Sequence, residues 1–382
     1  MPTYTIHMFA PFGIRPKGTL AARMLPLGQA LVQRGHRVTI IAPPVHNPQD
    51  AMTTIDYNGV PVIHTQVGDF HQPWSLLQPS LRQPPDIVHV FKPKGFAGLA
   101  ALLAQVVLPR TRLVIDTDDW EGWGGWNDLL PYPYLAKQLF AWQEGDLPRR
   151  AAAVTVASRT LQSQVWGFGV PPERVFYLPN GSQPQKDSVE GEPAPHPTLL
   201  LYTRFWEFDL ATVVAALVGI VAQHPNVRLL VIGKGEQGQE VEFQRLVARA
   251  GLSTNLDYRG WVEPAQIPAL VASASIALVP LNDTLINRAR CSAKLIELME
   301  AGKALVVANV GQTSEYLRDQ VSALLVPPSD SAALARACIA LLNNPVRCRE
   351  LGQAARAAAA RFGWQHLAPI AEQAYLVAGA GE

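Results

Sequence analysis

Charge is scarce in this chain. Asp, Glu, Lys and Arg make up 16% of its 382 residues, and the two signs nearly cancel at a formal net charge of +1. A nucleic-acid-binding protein would carry a basic patch or stripe, so that class drops out, and any anionic ligand has to be met by a few local cations. Cysteine is scarcer still. Cys291, Cys338 and Cys348 are odd in number and lack metal-ligand spacing, which argues for free thiols in a reducing compartment and against a disulfide framework or a zinc site. No apolar run is long and unbroken enough to span a bilayer. The start, Met1-Pro2-Thr3-Tyr4-Thr5-Ile6-His7, has no basic region followed by an apolar stretch and a cleavage site, as a signal peptide would. The expectation is a cytoplasmic protein, with peripheral attachment at the inner membrane face left open.

What the chain does have is apolar material, 48% of it, enough for two cores at about 100–200 residues per domain. Short apolar runs alternate with helical segments. Tyr4–Phe9 reads as a buried parallel strand, a helix follows from a Thr19 cap to about Arg34 with Gly35 as its stop, and Val38–Ala42 closes a βαβ unit. Pro26 is expected to kink that helix by removing a backbone donor. Further strands are expected at Asp86–Phe91, Leu113–Asp116, Ala153–Ala157 and Val175–Leu178, with helices at Phe96–Val107, near Tyr134–Gln143 and from Ser158. After a Pro-rich stretch, a second set of strands begins: Leu199–Tyr202, Arg228–Ile232, Leu256–Arg259, Ile276–Val279, Leu305–Val307 and Leu324–Val326. Helices near Ser331–Leu342 and Arg347–Ala360 follow, and Pro369 is expected to interrupt the tail before a last turn near Ala371–Leu376.

The division is therefore 1–182, a linker over 183–197, 198–362, and a tail over 363–382. In doubly wound sheets ligands sit beyond the carboxyl ends of the strands. One motif there points to a nicotinamide dehydrogenase. Gly233-Lys234-Gly235-Glu236-Gln237-Gly238 is a G-x-G-x-x-G between a strand and a helix, with Asp257 downstream. Against it, this is the second βαβ of its half, Asp257 falls inside a strand, and Glu240 and Glu242 open the helix where a phosphate would sit.

Ordered blocks carry a resemblance. Arg34-Gly35-His36-Arg37-Val38-Thr39-Ile40, Asp86-Ile87-Val88-His89-Val90, Ala153-Val154-Thr155-Val156-Ala157-Ser158, and Val170-Pro171-Pro172-Glu173-Arg174-Val175 with Leu178-Pro179-Asn180-Gly181 lie in the first half. Gly260-Trp261-Val262, Lys294-Leu295-Ile296-Glu297-Leu298-Met299-Glu300-Ala301-Gly302-Lys303 and Ala323-Leu324-Leu325-Val326-Pro327-Pro328-Ser329-Asp330 lie in the second. Together they resemble the family 4 glycosyltransferases. The resemblance implies an α/β chain of GT-B architecture, two Rossmann-like doubly wound domains facing a cleft, with the C-terminal segment crossing back to the first. It also implies a retaining hexosyltransferase that needs no metal or other cofactor, with a nucleotide-sugar donor and a carbohydrate or lipid-linked acceptor as partners and no nucleic acid.

Loss of a diphosphate leaving group calls for cations and amide N–H groups where the charge develops. Arg204, beyond Leu199–Tyr202, matches the arginine of the corresponding block. The lysine that usually follows it is missing from Phe205-Trp206-Glu207-Phe208-Asp209, and Lys294 is the candidate replacement. Glu297 matches the second glutamate of the spaced Glu pair, which would receive ribose hydroxyls, while the first position is Ala289. Gly311, Thr313 and Glu315 follow the next strand and are donor-binding candidates, as are Gly18 and Thr19 at a helix start, where Lys17-Gly18 stands in place of paired glycines. Lys92, Lys94 and Trp120 are acceptor-side candidates, the lysines for an anionic acceptor. Asp116-Thr117-Asp118 is literally D-x-D, and Asp118 or Asp119 is the candidate for acid–base assistance. Each has a plain alternative as a loop, cap or packing residue. A dehydrogenase and a catalytically weak binding relative stay open as rivals.

Overall fold

Two runs of apolar strands separated by helices build two mainly parallel sheets in this computed structural model, which describes residues 2–15, 18–68, 71–182 and 195–380. The chain divides into two units. Met1–Gln183 joins Ala289–Cys291 and Phe362–Glu382 in one, and Pro184–Arg288 joins Ser292–Arg361 in the other. Most of the Pro-rich segment read as a linker, 183–194, lies outside the described residues.

The first unit holds β1 (Thr5–Phe9), β2 (Arg37–Ala42), β3 (Thr54–Asp56), β4 (Pro61–His64), β5 (Ile87–Phe91), β6 (Arg112–Thr117), β7 (Ala153–Val156) and β8 (Val175–Tyr177) in the order β3-β4-β2-β1-β5-β6-β7-β8. All pairs are parallel except β3 with β4. That hairpin is absent from the sequence reading, yet its signal is there. Asn58-Gly59 takes left-handed φ at both positions, 55° and 88°, the backbone that a tight hairpin turn needs.

The second unit holds β9 (Thr198–Tyr202), β10 (Arg228–Ile232), β11 (Leu256–Gly260), β12 (Ile276–Val279), β13 (Ala304–Ala308) and β14 (Leu324–Val326), all parallel, ordered β11-β10-β9-β12-β13-β14. This is the Rossmann order. In each sheet the chain reverses its direction of winding beside the first strand, between β1 and β5 and between β9 and β12, which is where ligands bind in such folds.

Several expectations need correction. Thr19 does not cap its helix by a side-chain bond. The helix starts with a π-helical segment, Leu20–Met24, and Pro26 falls at the second position of the α-helical part, Leu25–Gln33. The extra residue per turn in the π segment gives the proline a place where no α-type donor is required. The tail is not interrupted at Pro369 either, since Trp364–Gly379 is one helix with that proline inside it. Trp364, Leu367, Ala371 and Tyr375 are buried in one core with Ile6, Met8, Leu27 and Leu31. That burial offsets the lost backbone bond. Finally, the helix expected at Tyr134–Gln143 runs on to Arg150, and a helix Gln72–Arg82 was not anticipated.

Candidate active site

In the first unit the functional candidates gather at the ends of β1, β5 and β6. The Leu20–Met24 segment carries Arg23, which is fully buried among apolar neighbours. Its guanidinium forks onto Asp116, Nε to Oδ1 at 2.8 Å and Nη2 to Oδ2 at 2.6 Å, and also donates to Leu178 O at 2.7 Å and Asn180 Oδ1 at 3.1 Å. Thr155 donates its hydroxyl proton to the same carboxylate, Oγ1 to Oδ2 at 2.5 Å. Its oxygen lies 3.2 Å from His89 Nε2, and His89 Nδ1 lies 2.9 Å from the Tyr375 hydroxyl on the C-terminal helix. Burial holds His89 down at about 4, so its ring is neutral. Since Asp116 can only accept, each donor in the chain is fixed: Tyr375 donates to His89, His89 to Thr155, and Thr155 to Asp116.

Two residues further on, Asp118 Oδ2 accepts the Thr19 hydroxyl at 2.8 Å. A carboxylate, not a bound anion, therefore takes the Thr19 proton. Gly18 precedes it, and Lys17 lies outside the described residues. Lys92, beyond β5, has left-handed φ of 48°, a strained backbone for a lysine of the kind that collects at functional sites. Its ammonium sits 2.5 Å from Asp119, 3.1 Å from Glu121 and 3.6 Å from Asp118. Lys94 pairs with Glu121 at 2.7 Å and Asn127 at 3.1 Å. Neither lysine is a solvated loop residue, since each is held in ion pairs with these carboxylates.

The titrations follow from this crowding. Burial, opposed by Lys92 and reinforced by Asp119 and Asp116, pushes Asp118 up to about 6. Burial also works on Asp119, but Lys92 outweighs it and holds that carboxyl below its usual value. The carboxylates Asp118, Asp119 and Glu121 raise Lys92 well above the ordinary lysine range despite burial. Glu144, on the helix Tyr134–Arg150 and 1% exposed, is raised well above the carboxylate range by burial and then by Glu121. Trp120 packs on Phe168 with ring centroids 6.0 Å apart and donates its N–H to Trp123 O. Among the described residues no group of three or more His, Cys, Asp or Glu is arranged to hold a metal ion.

The position of the absent first glutamate belongs to this unit as well. Ala289 is fully buried, and its carbonyl accepts the Ser158 hydroxyl at 2.6 Å. Asn180 bonds Cys291 twice, through N–H to Sγ at 3.0 Å and Nδ2 to O at 2.8 Å.

In the second unit, Arg204, Lys294 and Glu297 converge on Tyr202 at the end of β9. The Lys294 ammonium stands over the Tyr202 ring at 4.8 Å. Burial raises the Tyr202 hydroxyl, with Glu297 adding to the rise and Arg204 opposing it. Glu207 fills the stretch where a lysine was sought. It is buried, accepts the Thr203 hydroxyl at 2.9 Å and the Arg204 backbone N–H at 3.1 Å, and lies 3.9 Å from Lys294. Phe205 N–H on Thr203 Oγ1 and a left-handed φ of 68° at Phe205 complete this turn. The Arg204 side chain itself is exposed.

Beyond β13, Gly311 lies against the Arg288 backbone, where a Cβ would come within 2.5 Å. Thr313 is buried, with its hydroxyl at 3.0 Å from the Val310 N–H and 3.1 Å from Ala308 O. It shapes the turn rather than offering a free hydroxyl. Glu315 follows in the short helix Thr313–Tyr316.

The glycine loop after β10 has a local explanation. A Cβ on Gly233 would fall 1.8 Å from Thr203 O. The Gly235 N–H is taken by Glu240 Oε2 at 3.0 Å, and the Gln237 N–H by Gln239 Oε1 at 2.9 Å. The helix's own side chains occupy amides that a dinucleotide phosphate would need.

Arg23, Glu121, Glu144, Tyr202 and Glu207 escaped the sequence reading. Arg23 alone left a signal there, as one charge in Leu20-Ala21-Ala22-Arg23-Met24-Leu25.

Comparison with known proteins adds the following. Residues 18–181 match the model of the glycosyl transferase 4-like domain, and residues 196–344 match that of glycosyl transferases group 1. A phosphatidyl-myo-inositol mannosyltransferase of Mycobacterium leprae is 25% identical over 390 residues, covering 95% of this chain and 94% of that one. Among solved structures, a sucrose-phosphate synthase from Thermosynechococcus elongatus superposes with a TM-score of 0.74 at 20% identity, over 97% of this chain and 98% of that one. Anabaena HepE in complex with UDP-glucose gives 0.72 at 17% identity, over 96% and 98%.

Proposed function

The chain belongs to the family 4 glycosyltransferases of the GT-B fold, and we propose that it moves a hexosyl group from a nucleotide-diphosphate sugar to an acceptor hydroxyl, with retention and without a metal. The observation that carries this reading is the convergence of Arg204, Lys294 and Glu297 on Tyr202 at the switch point of the second sheet. Two cations there offer charge to a departing diphosphate, and one carboxylate offers acceptors to ribose hydroxyls. HepE was crystallised with UDP-glucose, which agrees with a nucleotide-sugar donor.

On the first unit, Asp118 at about 6 is poised to take a proton near neutrality. The acceptor oxygen forms the new bond to the sugar carbon and gives its proton to Asp118. The old bond to the diphosphate breaks with its electron pair on the leaving group. Gly18, Gly311, Thr313 and Glu315 support the donor side through backbone and turn geometry. A lipid-linked acceptor agrees with the phosphatidyl-myo-inositol mannosyltransferases among the relatives. No helix among the described residues is long and apolar enough to cross a membrane, and exposed Trp123, Tyr134, Leu135 and Trp142 suit peripheral contact at the inner face of a bilayer.

The test is melting with UDP, GDP and NAD, followed by incubation with radiolabelled nucleotide sugars. A ligand at a hundred times its Kd adds about 2.7 kcal/mol of stability. A shift with UDP or GDP and release of labelled sugar supports the reading. A shift with NAD alone overturns it, and nucleotide binding without any sugar release favours the weak binding relative.

A further inference from the structure

A threonine just ahead of a helix normally spends its hydroxyl oxygen on the helix's own amides. Thr19 makes no such bond to the helix that starts with Leu20–Met24. It is buried, and it donates its proton to Asp118 Oδ2 at 2.8 Å. Four residues on, Arg23 forks onto Asp116. Positions four apart on a helix share a face, and so do positions two apart along a strand. The two spacings match at about 6 Å each. One helix start therefore grips the end of β6 at two points, Arg23 at Asp116 and Thr19 at Asp118. The turn between them is π-helical, a rare form that recurs at functional sites.

Charges face Asp118 from several elements. Arg23 acts on it from the first helix, Lys92 from beyond β5, and Asp116 and Asp119 from its own segment, while it acts in turn on Glu144 of the helix Tyr134–Arg150. The Lys92 ammonium stands 3.6 Å from Oδ1, outside hydrogen-bond range. Ion pairs of this length attract without fixing the rotation of a carboxylate. Among the described residues, the Thr19 hydroxyl makes the one hydrogen bond that the Asp118 side chain receives.

We infer that Thr19 is a positioning residue for Asp118: its hydroxyl sets the rotation of that carboxylate and favours its ionised, proton-accepting form. This deepens the transferase reading and rests on Asp118 as the group that takes the acceptor's proton. A hydrogen bond donated to a carboxylate stabilises its charge. It opposes burial, which with Asp119 and Asp116 pushes Asp118 up to about 6. Without it the carboxyl titrates higher still and is less fully ionised at neutral pH. The same bond keeps Thr19 from serving a diphosphate. Ionised phosphate oxygens can only accept, and the single proton of this hydroxyl is already given to Asp118.

The experiment follows the Asp118 carboxyl by 13C NMR on the full chain labelled at aspartate, with Asp118→Asn assigning the signal. Turnover of radiolabelled UDP-glucose and GDP-mannose is measured against pH alongside. Thr19→Val deletes the hydroxyl and keeps the shape, Thr19→Ala is a second deletion, and Thr19→Ser retains the hydroxyl. In both deletions the Asp118 titration is expected to move up by about half to one pH unit, with turnover about two- to fivefold lower at pH 6 and close to the parent at pH 8. Thr19→Ser is expected to titrate like the parent, and binding of UDP and GDP to stay unchanged throughout. A titration that moves in neither deletion overturns the inference while leaving Asp118 as the base. So does weaker nucleotide binding with an unmoved titration, which returns Thr19 to the donor side. An acid limb that survives Asp118→Asn removes the base, and the inference with it.

Discussion

Arg23 and Asp116 form a two-pronged ion pair in which neither side chain meets solvent, at 1% and 0% exposure. The pair joins the first helix to the end of β6 and, through Asn180 and Leu178 O, to the chain beyond β8. Four of the five guanidinium protons and both carboxylate oxygens find partners nearby, which is the condition under which a buried pair can be kept.

Breaking one side of it is expected to be costly. Arg23→Ala leaves Asp116 buried without its charge partner and should destabilise the protein by about 3–5 kcal/mol in urea unfolding. Arg23→Lys should recover only part of this, because an ammonium cannot bridge both oxygens and also reach Leu178 O as the guanidinium fork does. A loss under about 1 kcal/mol for Arg23→Ala would contradict this account.

Asp118 predicts a pH dependence with a definite sign. Its carboxyl titrates at about 6, above the ordinary 3.8. Below 6 it already holds a proton and cannot receive one, so turnover should rise with pH through about 6, and Asp118→Asn should abolish that limb. Stability moves the other way. A group raised in the folded state favours folding below its unfolded value and loses that contribution as pH climbs from about 4 to about 6. Asp118→Asn should therefore compare better with the parent protein at pH 7 than at pH 4 in paired melts.

Arg204 separates chemistry from folding. Its side chain is exposed, and only its backbone N–H is bonded into the turn, to Glu207. Arg204→Ala should lower kcat by about 10²–10³, the cost of removing one donor to a developing charge, while shifting Tm little. Unchanged turnover would remove Arg204 from the mechanism.

Gly233 tests the glycine loop. Its φ is 125°, and a Cβ would lie 1.8 Å from Thr203 O, so Gly233→Ala forces the ends of β9 and β10 apart. A loss of more than about 1 kcal/mol is expected, with weaker nucleotide binding because Tyr202 and Arg204 flank Thr203. Gly238→Ala, with open space at its Cβ but φ of 78°, should cost less.

Much of this architecture was legible because each parallel strand is a short apolar run, and the residue just past its end is where chemistry collects. Arg204 past β9 and Lys92 past β5 were found in that way. Local rules failed where tertiary packing overruled them. Pro369 read as a break, yet the burial of Trp364, Leu367 and Tyr375 carries the helix through it. Asn58-Gly59 announced a hairpin that the weak apolar character of Thr54–Asp56, exposed throughout, concealed. The pairing of Lys92 and Lys94 with their own carboxylates was out of reach, because a sequence shows which charges follow a strand and not which of them meet. The same holds for Glu144, brought to the cluster from a different helix.

The helix Trp364–Gly379 shares a core with β1, and this ties folding to the order of synthesis. The ribosome delivers the strands of the first sheet early and the helix that seals their apolar face only after the whole second unit. The second unit, by contrast, can close on itself once residue 361 has emerged. A nascent chain therefore carries an unfinished hydrophobic surface through most of its translation, and that interval is when a chaperone would have most to shield.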